Sequence, residues 1–142
     1  MNAQMLCPVI AATCFLFAAA GSSIASLRFL RSTSFLPYHE QAAGIKWADV
    51  PAPIQFLILT LMRVSGLGGA VVAGIAFFTS GSCLFENQRI LDSILGIGIA
   101  TYWFGMFCIT TGVHKKTNAD TPYRLSFVVF LVSLIGVIAL LI

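Results

Sequence analysis

Four continuously apolar stretches, separated by short polar segments, organise the chain over residues 5–27, 53–79, 90–113 and 122–142. A helix rising about 1.5 Å per residue needs roughly 20 mostly apolar residues to cross the hydrocarbon core of a bilayer, and each stretch meets that length. The pattern predicts an all-α polytopic membrane protein, a single domain over 1–142 with four transmembrane helices in an antiparallel bundle. A transmembrane β-barrel would instead need segments of about ten residues alternating apolar and polar, and these runs do not alternate. The first connection, 28–52, is too polar to span and too long for a turn. Its middle, 38–47, mixes apolar and charged residues in a way that suits a short interfacial helix at the membrane surface.

Polar punctuation predicts where the helices begin. Asp120 and Thr121 before Pro122 read as a capping residue followed by a proline in the first helical turn, where the missing N–H does no harm. Pro51 and Pro53 after Asp49 start the second span in the same way, with Trp47 as an interfacial anchor. Gly81 and Ser82 make a turn short enough to force the second and third spans into an antiparallel hairpin. Helices in lipid gain little hydrophobic energy by associating and rely on close backbone approach at small residues. Gly66, Ala70 and Gly74, at four-residue spacing and flanked by Gly68, Gly69 and Ala73, are therefore expected to form a helix-packing face. Ala18, Ser22 and Ser26 offer a similar row on the first span, and Gly96, Gly98 and Gly105 thin the third.

Composition agrees with lipid as the solvent: of 142 residues, 58% are hydrophobic and 9% charged. The first span ends in small residues, as a cleavable signal peptide does. It lacks a preceding basic residue and exceeds the usual core of roughly 7–15 residues, so it reads as a retained helix. Arg28, Arg31 and Lys46 lie in the first connection and Lys115, Lys116 and Arg124 in or beside the third, against Arg89 alone on the opposite side. The positive-inside bias then predicts that both termini are non-cytoplasmic. The same placement accounts for the net charge of +3 without nucleic acid as a partner. The cysteines show no metal-ligand spacing. Cys7 and Cys83 fall on one side, where they read either as a disulfide or as small apolar residues filling helix contacts.

Candidate chemistry centres on Arg63, ten residues after Pro53 and thus about 15 Å into its helix. A charge at that depth costs at least about 3 kcal/mol. It either snorkels to the interface or holds a carboxylate or the polar head of a ligand. Asp92 is poorly matched in depth, whereas Glu40, with Tyr38, His39 and Gln41, sits where the first connection can fold over the mouth of the bundle. Arg63, Glu40, His39 and Tyr38 are accordingly the candidate ligand- or lipid-binding residues. His39 and His114 lack further ligands and read as interfacial polar residues rather than as a metal or haem site. Tyr102, Trp103 and Phe104 read as packing rather than as a quinone box, and Asp92, near the far interface, is placed to face water. No nucleophile–base pair, phosphate loop or paired carboxylates appear, and no cofactor is expected.

The string Leu36-Pro37-Tyr38-His39, then Ala43-Gly44, Trp47, Pro51, Gln55, Leu61-Met62-Arg63, Gly66, Gly68 and Gly69, resembles a group of small bacterial four-span membrane proteins without an assigned activity. Thr121-Pro122-Tyr123 fits the same pattern. The resemblance implies a multi-pass protein of the bacterial inner membrane with its functional face between Tyr38 and Gly69. A more distant likeness to DoxX-like four-helix proteins is architectural and carries no redox role. Two functions are weighed. The first is a non-catalytic accessory subunit of a larger membrane complex, with membrane lipids and other membrane subunits as partners. The second is a lipid- or quinone-binding bundle, enzymatic or not, with a polar site near Arg63. A transporter of four spans, with neither broken helices nor an internal repeat, ranks third.

Overall fold

The computed structural model describes residues 3–85 and 88–142, and within them the regular structure is entirely helical. Helix α1 spans Ala3–Arg31, α2 Pro37–Ala43, α3 Ala52–Ser82, α4 Arg89–Thr117 and α5 Tyr123–Leu141, with a single 3-10 turn at Trp47–Asp49 between α2 and α3. Four of these, α1, α3, α4 and α5, are long and apolar enough to cross a membrane. The chain is thus an all-α, multi-pass bundle with a short helix in its first connection. The long helices overrun their apolar stretches because polar residues at the interface continue the backbone ladder. Arg28 and Arg31 end α1 and Lys115 and Lys116 end α4, where cations meet the negative pole of the helix dipole.

The helix starts differ from the side-chain capping predicted for them. Pro122, not Asp120 or Thr121, occupies the N-cap of α5, and no side chain caps it. Thr121 is buried and donates its hydroxyl to the Thr110 carbonyl of α4 at 2.9 Å. A buried hydroxyl must be paired, and the neighbouring helix offers an acceptor. At the helix ends, Gly44 (φ 67°) closes α2 and Asn118 (φ 53°) closes α4, their N–H groups donating to Glu40 O at 2.9 Å and His114 O at 2.8 Å.

Around the bundle the order is α1, α3, α4, α5, so that every neighbouring pair of spans is antiparallel. Contacts are richest between α1 and α3 and between α4 and α5, followed by α1 with α5, and the α3–α4 pair is thinnest. Helix α1 is therefore the centre. Its Phe15 is fully buried, and a Cβ placed on Gly96 of α4 would lie 2.6 Å from the ring. One placed on Gly136 of α5 would lie 3.2 Å from the same ring and 3.0 Å from Cys14. The side chain of α1 thus fills two notches left by missing methyl groups.

Within the bundle, the α1–α3 seam uses only part of the predicted packing row. Gly66 is buried, and a Cβ there would approach Leu30 to 2.8 Å, but Ala70 and Gly74 are exposed and nothing lies within 4 Å of a Cβ on Gly74. Two four-residue steps carry a helix about 80° past whole turns, which rotates Gly74 out of the contact. The buried face is instead Met62, Gly66, Gly69, Ala73 and Ala76, alternating steps of four and three. That spacing belongs to a shallow left-handed crossing. Opposite it, Ala18, Ser22 and Ser26 are buried together, and Ser26 donates to Gly66 O at 2.6 Å. Ser80 likewise donates to Ala12 O of α1 at 2.7 Å, whereas Thr79 and Ser133 turn back on their own helices, to Ile75 O and Val129 O. The glycine of α4 that Phe15 needs is separable from its neighbours. Gly96→Ala is expected to destabilise the bundle by about 1–3 kcal/mol through overpacking, and Gly98→Ala, with open space at its Cβ, to leave it within about 0.5 kcal/mol; thermal unfolding in detergent compares the two.

Candidate functional site

The first connection folds as a strap over one end of the bundle. Glu40 Oε1 accepts the Trp47 N–H at 3.0 Å, closing the strap on itself. Gln55 Nε2 donates to the Trp47 and Val50 carbonyls at 2.9 and 3.0 Å, tying its far end to α3. Gln41 Oε1 accepts the Asp120 N–H at 2.8 Å, which carries α2 across to the α4–α5 connection. An aromatic group anchors the underside: the His39 ring lies 4.2 Å from Tyr38 and 5.9 Å from Phe35, and Phe35 lies 4.8 Å from Trp47. Leu36, Pro37, Tyr38 and Gln41 are left facing inward.

Beneath them is a cavity of about 410 Å³ between α1, α2, α4 and α5, within the range of small-ligand sites. Ile24, Phe29, Met106 and Leu125 give it an apolar body, and Arg28, Tyr38, Gln41 and Asp120 supply polar groups. Trp103 forms part of the wall; it is buried, and its indole N–H is spent on Ser22 Oγ at 3.2 Å. Thr110 and Ser126 also have their hydroxyls engaged, with Met106 O and Pro122 O. Burial pushes the Tyr38 hydroxyl above its usual pKa, so it is a neutral donor at physiological pH.

No family model, curated protein or solved structure matches the chain. Geometry alone therefore bears on the site.

Of the four predicted site residues, Tyr38 alone lines this cavity. Arg63 is exposed on α3 and stands apart from the cavity lining, and the carboxylate expected to meet it, Glu40, is engaged with Trp47. The expected Arg63–Glu40 pairing is thus replaced: the strap needs the carboxylate to cap its own turn, and Arg63 extends outward as a snorkelling arginine does. His39 faces the aromatic group, with its Nδ1 buried and lacking a hydrogen-bond partner. The reading of Asp92 as water-facing is also corrected. It is fully buried and accepts a hydrogen bond from Ser82 Oγ across the α3–α4 turn, and its second oxygen has no partner among the described residues. The four cysteines are free, and Cys83 packs in the core beside Asp92. Burial, and then the Asp92 carboxylate, push its thiol up to about 12, so it is no nucleophile.

Gln41, expected with Tyr38 over the mouth of the bundle, lines the cavity as well, whereas Arg28 and Asp120 were missed as site residues. Arg28 was already accounted for as a topological charge and Asp120 as a cap, and neither position carries a pattern that names a second role. One consequence of the strap is pH-dependent. Burial lowers the His39 pKa from its ordinary value of 6.5, so the docked strap favours neutral imidazole. The undocked segment binds the proton more readily, so docking is at full strength above about pH 6.5 and weakens as pH falls below it. Amide exchange over Pro37–Ala43 is expected to accelerate between pH 7.5 and 5.5 beyond its intrinsic pH dependence, and His39→Gln to remove that excess.

Proposed function

We propose that the protein binds an amphipathic membrane molecule, a lipid or a quinone-like compound, in the cavity under the α2 strap. The observation that carries this reading is one largely apolar cavity whose two charged groups, Arg28 and Asp120, gather with Tyr38 and Gln41 at the strap end, while the hydroxyls of Thr110 and Ser126 are spent on their own helices. A molecule with a polar head and an apolar body matches that division. The cavity opens beside Ile24 and Leu125, both about half exposed, at 55% and 46%, so an apolar tail has a way out to the bilayer. On the count of basic residues this end faces the cytoplasm of a bacterial inner membrane, and both termini face away from it. The lining holds a single carboxylate and neither cysteine nor histidine, which favours binding over acid–base chemistry.

A second reading, an accessory subunit of a larger membrane complex, draws on a different surface. Between α1 and α3 an outward groove of about 610 Å³ is floored by Ala19, Ala20, Ala70 and Gly74, and small residues of this kind admit another helix closely.

The two readings separate by experiment. Purified in mild detergent, the protein is expected to carry about one lipid-like molecule by native mass spectrometry. Ile24→Trp with Leu125→Trp should strip it, whereas Arg63→Leu should leave it in place. Unchanged content in the Trp variant excludes the cavity as the site. For the groove, Gly74→Trp is expected to abolish co-purification of a stoichiometric membrane partner, and its failure to do so removes the subunit reading.

A further inference from the structure

The cavity carries two charged residues, of opposite sign, and their placement narrows the ligand. Arg28 lies in the last turn of α1 and Asp120 in the α4–α5 connection, so both stand at the membrane boundary, the depth of lipid headgroups. Both are exposed, and among the described residues neither side chain takes part in a hydrogen bond within the protein. The Asp120 main chain is fixed by Gln41, which presents its carboxylate beside the strap. Its other neighbouring cation, Arg124, lies outside the lining and donates instead to the Tyr123 hydroxyl at 3.2 Å. A neutral quinone would leave Arg28 without a counterpart and Asp120 with only the charge of the neighbouring Arg124, and a singly anionic headgroup would satisfy Arg28 but meet Asp120 as a like charge.

We propose that the site selects a zwitterionic phospholipid, with its phosphate on Arg28 and its ammonium on Asp120. The inference rests on the cavity being a lipid site and adds the headgroup class. Tyr38 adds a neutral hydroxyl donor for a phosphate oxygen, and Ile24 and Leu125 flank the path of the acyl chains. The headgroup lies at the strap end and the glycerol and the first carbons of the acyl chains against Ile24, Phe29, Met106 and Leu125, which suits a cavity of about 410 Å³; the rest of the chains lies in the bilayer. Because the two charges sit at an exposed rim, each is worth a modest amount. Exposed ion pairs contribute about 0.2–1 kcal/mol, or roughly a 1.4- to fivefold preference.

The test uses the full chain in detergent, offered equal amounts of dioleoyl phosphatidylethanolamine and dioleoyl phosphatidylglycerol, with bound lipid counted by native mass spectrometry. The wild type is expected to retain phosphatidylethanolamine over phosphatidylglycerol by a factor of roughly two to five. Asp120→Asn should erase or reverse that preference while keeping lipid bound, and Arg28→Gln should lower the retention of both. An excess of soluble glycerophosphoethanolamine should displace neither, since it lacks the chains that reach the bilayer; displacement would overturn the lipid in favour of a free headgroup compound. A wild type that retains both lipids equally, or prefers phosphatidylglycerol, overturns the headgroup assignment and leaves the lipid cavity standing. Equal retention of both lipids by the wild type and by the Ile24→Trp, Leu125→Trp variant overturns the cavity reading as well.

Discussion

The bundle depends on how near α1 comes to its neighbours, and that nearness exists because hydrogen atoms stand where methyl groups would otherwise be. Phe15 reaches between Gly96 and Gly136, and Leu30 lies over Gly66. In lipid these contacts are not driven by release of water, so dispersion at close range and a few hydrogen bonds must hold the helices together. Among the described residues three side-chain bonds join α1 to other spans: Ser26 to Gly66 O, Ser80 to Ala12 O and Trp103 to Ser22. At about 0.6 kcal/mol each they total roughly 2 kcal/mol, so fit must supply most of the rest. A fit of this kind tolerates little change in volume, which gives the glycines on the inner faces a different status from those facing outward.

The candidate site inherits its shape from that central helix. Arg28 and Phe29 sit at the end of α1, where Leu30 still packs on Gly66 of α3 but a gap lies toward α4 and α5, and the strap covers that gap. The strap has too few residues to hold itself by burial, and no residue of α2 is buried. It is held at separate points instead, by Glu40 on Trp47, Gln55 on the turn, Gln41 on Asp120 and His39 among the aromatic rings. Such tethers can be released one at a time, which suits a cover over a binding cavity better than a packed lid would.

Much of the architecture was legible because long apolar runs have few alternatives in a bilayer. The spans, the interfacial helix and the small-residue row on α1 all follow from length, composition and residue size. Of the row on α3 only Gly66 is buried against α1, because a four-residue repeat and a helical face diverge within two turns; Gly69 and Ala73, noted as flanking residues, continue the contact, and Ala70 and Gly74 face the outward groove. The site was less legible still. Tyr38 and Gln41 were identified from their place in the first connection, but Arg28 and Asp120 converge on them only when α1 and the α4–α5 connection are brought together, and spacing along the chain does not encode that meeting. Asp92 misled for a related reason: depth along a helix says nothing about which way the side chain turns, and here it turns toward Ser82.

The seam between α1 and α5 joins the first span to the last, and this has a bearing on biogenesis. Each earlier hairpin can enter the membrane as it leaves the ribosome, yet the notch on Gly136 that receives Phe15 arrives with the final helix. Until then α1 carries an unfilled flank, although Ser26 and Ser22 already have their partners on α3 and α4. A chain halted after α4 would therefore be inserted but unfinished, with the flank of α1 around Cys14 and Phe15 that meets Gly136 exposed to whatever surveys the bilayer for orphaned helices. Closure of the ring is a late step, and the cavity that depends on α5 for one of its walls comes into being only then.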